Sequence, residues 1–281
     1  MRAQVTVTVA EAKRIIARAI AALPEVKQAL QNGRILLKGG TTVSAVAEEL
    51  AGITLRISGR VSPRGTKTGR GDGAAHSILL EKGVPRNIDD CFAEAVSTLG
   101  PSDVAIIGAN AIDASGRAAI MLGRTLGGEP GKGLAGLMAQ GCKVIIACGL
   151  EKLIPGSVDE AVRCSGIRGT DWSMGMAVGL VPLVGKIVTE KEALEIIARV
   201  KCVVIGKGGI DGAEGSTTMV VEGEPEEVEK AVLAVLAVKG TGTSGSPASL
   251  LECEAGSEGC RVHQACAWKH GKKGVLEWYV R

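Results

Sequence analysis

The strongest constraint on how this chain folds is a pattern repeated through its first half. A short, unbroken apolar run is followed by a glycine-rich turn and then by a segment with helical spacing. Arg34-Ile-Leu-Leu-Lys38 reads as a buried strand, Gly39-Gly40-Thr41-Thr42 as its turn, and Val43 to Leu50 as a helix with Val43, Val46, Ala47 and Leu50 on one face. Ile53 to Ile57 is a further strand candidate. Ile88 to Leu99 is expected to be helical, with Phe92, Val96 and Leu99 inward, and Asp103 to Ile107 to be a strand ending at Gly108. Gly133 to Gln140 adds a short helix and Lys143 to Cys148 another strand. Apolar runs without alternation are buried on both faces, and the order strand, turn, helix, strand is that of a parallel sheet covered by helices. The predicted class is α/β, with a Rossmann-like ligand-binding domain over residues 1–178.

The same pattern needs many tight turns, and the forty glycines, dispersed between apolar runs without a period, supply them. The core must be packed from Ala, Val, Ile and Leu, because one Phe, one Tyr and three Trp are all the aromatic residues present. A formal net charge of +3 with both signs interspersed gives no electrostatic footprint for nucleic acid. No apolar run approaches the ~18 residues needed to cross a bilayer, so no membrane partner is expected. Ala10 to Leu23 is an amphipathic first helix, preferred over a transit peptide, with Ile15, Ile16, Ala19, Ile20 and Leu23 on one face. Eight cysteines at scattered spacings, most inside apolar segments, fit a reducing, cytoplasmic compartment.

The order changes after residue 178. Leu180 to Val188 reads as a strand, Glu190 to Arg199 as a helix, Cys202 to Ile205 and Ser216 to Val221 as strands, and Pro225 to Val238 as a helix. That succession predicts a ferredoxin-like α+β domain over residues 179–242, with both helices on one face of an antiparallel sheet. Units of this kind serve association or small-molecule sensing elsewhere, and a homo-oligomer is expected. Residues 243–281 read as a linker and a cysteine-containing tail whose Trp268, Trp278 and Tyr279 dock it on the body.

Five groups of residues are candidates for chemistry. At Lys38-Gly39-Gly40-Thr41-Thr42 the glycines admit a ligand to the backbone, the next helix offers free N–H groups, and Lys38 offers a charge; a helix cap on a tight turn is the plainer alternative. Gly108, Asn110 and Asp113 follow a buried strand, where open α/β sheets bind ligands, although Asp113-Ala-Ser-Gly116 alone is an ordinary turn. Gly127 to Gly133, with Lys132, is a second candidate anion loop before a helix and lacks the Walker ending. The loop Ser58 to Gly73 carries Arg60, Arg64, Lys67 and Arg70; it is either a positive lid over an anion or a solvated loop. His76 beside it reads as structural. In the tail, Cys253, Cys260, His263 and Cys266 supply enough soft ligands for zinc or an iron–sulfur cluster, against packing or redox thiols as the alternative.

The order Gly39-Gly-Thr-Thr42 after a strand, then Ile106-Ile-Gly-Ala-Asn-Ala-Ile-Asp113, then Gly131-Lys132 before a helix and strand resembles the superfamily of ribose-5-phosphate isomerase, glucosamine-6-phosphate deaminase and CoA-transferases. It is most similar to the branch with DeoR-type sugar-binding domains and methylthioribose-1-phosphate isomerase. The likeness covers residues 10–155. It implies a phosphorylated or CoA-like ligand over Lys38 to Thr42 and the loop after Gly108. The isomerase branch places an acidic residue where this chain has Asn110, and an amide cannot be a general acid or base there, so the family's catalysis does not carry over. The expected function is binding of, or catalysis on, a small anionic ligand. The alternatives are a non-catalytic sensor, and a metal- or cluster-bearing redox protein built on the tail.

Overall fold

The computed structural model describes residues 1–68, 73–253, 260, 263 and 265–268. In chain order the elements are β1 (Arg2–Val7), α1 (Val9–Ala22), α2 (Pro24–Asn32), β2 (Arg34–Lys38), α3 (Thr41–Ala51), β3 (Gly59–Ser62), β4 (Gly65–Thr68), β5 (Ser77–Glu81), β6 (Val84–Asn87), α4 (Phe92–Ser97) and β7 (Val104–Ile107). They continue with β8 (Ala111–Ile112), β9 (Ala118–Leu122), α5 (Gly128–Ala139), β10 (Lys143–Ala147), α6 (Val158–Cys164), β11 (Gly179–Leu183), β12 (Lys186–Val188), α7 (Glu190–Ile197), β13 (Val200–Gly208), β14 (Ser216–Gly223) and α8 (Pro225–Leu236). The chain is thus mixed α/β. Among the described residues no helix is long and apolar enough to cross a membrane.

A six-stranded sheet in the order β12-β10-β7-β2-β5-β6 organises the molecule. Its first four strands are parallel, as the unbroken runs predict, while β5 is added antiparallel beside β2 and β6 antiparallel beside β5. Side chains of β2 alternate between two cores. Ile35 and Leu37 face a core built with α1, α3, α7 and α8, and Leu36 faces another built with α4 and α5. The amphipathic first helix sits where its pattern demands, closed at its start by Thr8 and Glu11 in a reciprocal cap.

Residues 179–242 do not close into a separate ferredoxin-like unit. The run Leu180 to Val188 divides into β11, which joins β9 and β8, and β12, which becomes the edge of the parallel sheet. The reason lies at Gly185, where a Cβ would stand 2.7 Å from the Val144 carbonyl oxygen; the chain turns there against β10. The antiparallel sheet takes its third strand from the other end of the chain, in the order β1-β14-β13. Val5, Ile35, Leu194, Val221 and Val235 all belong to one apolar cluster, so a boundary at 178/179 would cut through a continuous core. Smaller corrections concern Ile53 to Ile57, which forms no strand, and the helix from Gly128, which begins five residues before the expected Gly133.

Candidate functional site

The carboxyl ends of β2, β7 and β10 open on a cavity of about 550 Å³, a volume usual for small-molecule sites. Its wall near β2 is Lys38 to Thr42, its wall near β7 is Gly108 to Asn110, and Ala147 at the end of β10 and Lys152 beyond it line the third side. The β3–β4 hairpin and Ile120 to Arg124 complete the enclosure.

The β2–α3 turn is built to approach closely. The Gly39 amide donates to the His76 carbonyl at 2.7 Å, and a Cβ on Gly39 would stand 2.1 Å from that same oxygen. Only glycine fits there. Gly40 is the N-cap of α3 and no side chain caps the helix; its first backbone bond runs from the Ser44 amide to the Gly40 carbonyl at 2.7 Å. The amides of Thr41, Thr42 and Val43 are therefore left for the cavity, at the positive end of an 11-residue helix. Lys38 is only 7% exposed, and among the described residues no acceptor reaches its Nζ. Burial lowers its pKa to about 8.

His76 lies against this turn. Its Nδ1 donates to the Arg56 carbonyl at 3.0 Å, which leaves the lone pair on Nε2. Burial, helped by the neighbouring Lys38 charge, lowers its pKa to about 4 and keeps the ring neutral. Asp89 fixes the segment by accepting from the His76 and Ser77 amides at 2.9 and 2.7 Å and from Arg56 at 3.0 Å. Asn110 is oriented by the Met121 amide, which donates to its Oδ1 at 3.0 Å, so its Nδ2 remains a donor beside the cavity. Six lysines and arginines line the cavity (Lys13, Lys38, Arg56, Arg60, Arg124, Lys152) against the carboxylates Asp89, Asp90 and Glu129. The environment favours an anion.

Of the residues expected at the site, Lys38, Gly39, Gly40, Thr41, Thr42, Arg60, Gly108 and Asn110 come together around this cavity. Asp113, Arg64 and Lys132 do not line it. Asp113 closes its own turn, accepting from the Ser115 amide and hydroxyl and from the amides of Arg117 and Val158, and these donors hold its pKa down at about 2. Lys132 is inside α5 and pairs with Glu129 at 2.7 Å. Arg64 donates to the Cys253 carbonyl at 2.9 Å and lies 4.6 Å above the Trp268 ring. Arg60 lines the cavity but donates to the carbonyls of Ser249, Leu250 and Leu251. The basic loop thus grips the tail.

Cys253 and Cys260 are half-buried, Cys266 is buried on a bridge to Ser173, and the His263 ring meets the Thr68 hydroxyl at 3.1 Å. Among the described residues no three His, Cys, Asp or Glu side chains are placed to hold one ion. Trp268 docks as expected, its indole donating to the Arg64 carbonyl at 2.7 Å; Arg70, Trp278 and Tyr279 lie outside the described residues.

Lys13, Lys152, Arg124 and His76 were not legible as site residues. Lys13 carried a signal, since it falls on the apolar face of α1 with Ile16, Ala17 and Ile20, all buried. It reaches Glu151 at 3.6 Å, and burial lowers its pKa. No protein-family model, curated protein or solved structure matches the chain.

Proposed function

We propose that the chain binds a small phosphorylated ligand in this cavity, with phosphate oxygens on the amides of the first turn of α3. One observation carries the reading: an enclosed lysine with no acceptor among the described residues stands beside an uncapped helix start, and both open on the same cavity. A buried, unpaired ammonium costs a fold several kcal/mol, so its retention calls for a compensating anion. Aligned amides and the helix dipole add the directional donors that phosphate oxygens accept. Arg124, exposed at the rim with no carboxylate partner among the described residues, and Lys152 supply further charge at the entrance. Asn110 Nδ2 is placed for a hydroxyl or carbonyl of the ligand. Kinship with the sugar-phosphate isomerases and CoA-transferases would give the same ligand class, and the reading does not depend on it.

Thermal unfolding in inorganic phosphate tests it, against chloride at equal ionic strength. A ligand that binds only the native state raises stability by about 2.7 kcal/mol at a hundredfold excess over Kd. The melting temperature is expected to rise in phosphate for the wild type and not for Lys38→Met. An equal rise in both proteins would be a general salt effect and would overturn the proposal.

A further inference from the structure

The anion site uses the amides of α3 and the charge of Lys38, and leaves the reactivity of that enclosed amine and the enclosed His76 beside it unassigned. Lys38 is the last residue of β2, paired across the ladder with Ser77 and Ile107, so its backbone is held on both sides by the central sheet. A lysine so placed is ordinarily neutralised by a carboxylate; among the described residues none contacts this one, and it lines the cavity. Of the acids lining the cavity, Asp89 is engaged with Arg56 and the His76 and Ser77 amides, Glu129 pairs with Lys132, and Asp90 makes no ion pair with Lys38 among the described residues. His76, 7% exposed, lines the same cavity and is locked by the Arg56 carbonyl in the tautomer that leaves Nε2 basic.

Resting on the anion-site reading, we propose that Lys38 is an amine nucleophile forming a Schiff base with the carbonyl carbon of a short aldehyde- or keto-phosphate, with His76 carrying the protons. The Lys38 side chain and the amides of Thr41 and Thr42 lie within four residues of chain, so a ligand with phosphate and carbonyl a few bonds apart engages both. The Nζ lone pair adds to the carbonyl carbon as the C–O π pair moves onto oxygen. His76 Nε2 takes one amine proton and delivers it to that oxygen, giving a carbinolamine. The nitrogen lone pair then forms the C=N bond and expels the hydroxyl, to which His76 brings the second amine proton. Both protons leave in one water molecule, and no oxidant or reductant is consumed. Asn110 Nδ2 donates to the carbonyl oxygen as charge develops on it. The depressed Lys38 basicity supports the same step. With its pKa at about 8 instead of 10.5, about a tenth of the side chain is free amine at pH 7, where an ordinary lysine has less than about a thousandth.

The full chain treated with glyceraldehyde 3-phosphate and cyanoborohydride tests the proposal, with intact mass and peptide mapping as readouts. The expected result is one reduced adduct per chain, mapped to Lys38, forming faster as pH rises through about 8 and suppressed by inorganic phosphate. Lys38→Arg keeps the positive charge and cannot form an imine. It is expected to lose the adduct by at least about tenfold. Phosphate stabilisation without a Lys38 adduct, or labelling spread over surface lysines with no excess at Lys38, would overturn the Schiff-base role and leave the anion site standing. A wild-type protein that phosphate fails to stabilise would overturn both.

Discussion

Lys38→Met is expected to stabilise the protein while abolishing its phosphate response. Methionine keeps the unbranched stem and a similar volume, so packing around β2 is conserved and the ammonium alone is removed. The magnitude follows from the cost of holding that charge. At about 1.4 kcal/mol for each pH unit between 10.5 and about 8, burial of the ammonium costs the native state about 3 kcal/mol. The sign follows from linkage. The folded pKa lies below the unfolded one, so between about pH 8 and 10.5 the unfolded chain binds a proton that the native chain does not. Wild-type stability therefore rises with pH across that window, and the whole penalty applies below it. Urea unfolding at pH 7 and at pH 10.5, followed by far-UV circular dichroism, measures the effect. Lys38→Met should gain about 3 kcal/mol over wild type at pH 7 and less than about half of that at pH 10.5. A variant less stable than wild type at pH 7, or a gain equal at the two pH values, would refute the reasoning, because the ammonium would then be compensated inside the fold.

Three further outcomes follow from the same geometry. Gly39→Ala places a Cβ 2.1 Å from the His76 carbonyl, so the turn must move; a loss of about 2 kcal/mol or more in chemical unfolding, together with loss of the phosphate response, is expected. His76 has a folded pKa near 4 against 6.5 unfolded, so its contribution to stability is present above 6.5 and falls as pH drops towards 4; His76→Gln should flatten urea midpoints between pH 6.5 and 4.5, and an unchanged slope would sink the assignment. Arg60→Met frees the carbonyls of Ser249 to Leu251, and limited proteolysis beyond Gly240 should accelerate by about tenfold or more while the core melting temperature holds.

The parallel sheet was legible because runs such as Ile35 to Leu37, Val104 to Ile107 and Val144 to Ala147 are buried on both faces, and an unbroken apolar run flanked by glycine has few other interpretations. Pairings between distant segments were not. β1 lies against β14, with Val5 opposite Met219, and no local periodicity reports a partner so far along the chain. The ferredoxin-like expectation failed for a related reason. The local order of strands and helices after residue 178 is the same whether Lys186 to Val188 pairs with β13 or with β10, and what decides is the turn at Gly185 against Val144. β5 escaped because Ser77-Ile-Leu-Leu80 is short and no helix separates it from the preceding loop.

At the site, position was legible and availability was not. Asp113 and Asn110 both follow β7, and by type the carboxylate is the better ligand-binding or catalytic group. Yet four donors, one of them the Val158 amide, close on Asp113, whereas the Met121 amide takes only the oxygen of Asn110 and leaves its nitrogen. The same distinction separates the basic residues. Arg60 and Arg64 were the natural choice for an anion clamp, and the carbonyls of residues 249–253 satisfy them. Lys38, at the end of an apolar strand, has no partner for its ammonium among the described residues, and the strands on either side present Ser77 and Ile107, neither of them an acid. A polar group becomes functional when the fold leaves it without an internal partner, and that depends on backbone tens or hundreds of residues away. The strand-to-helix turn was readable because its chemistry is local: the glycines, the helix start and Lys38 are consecutive, and the amides they expose belong to the same five residues.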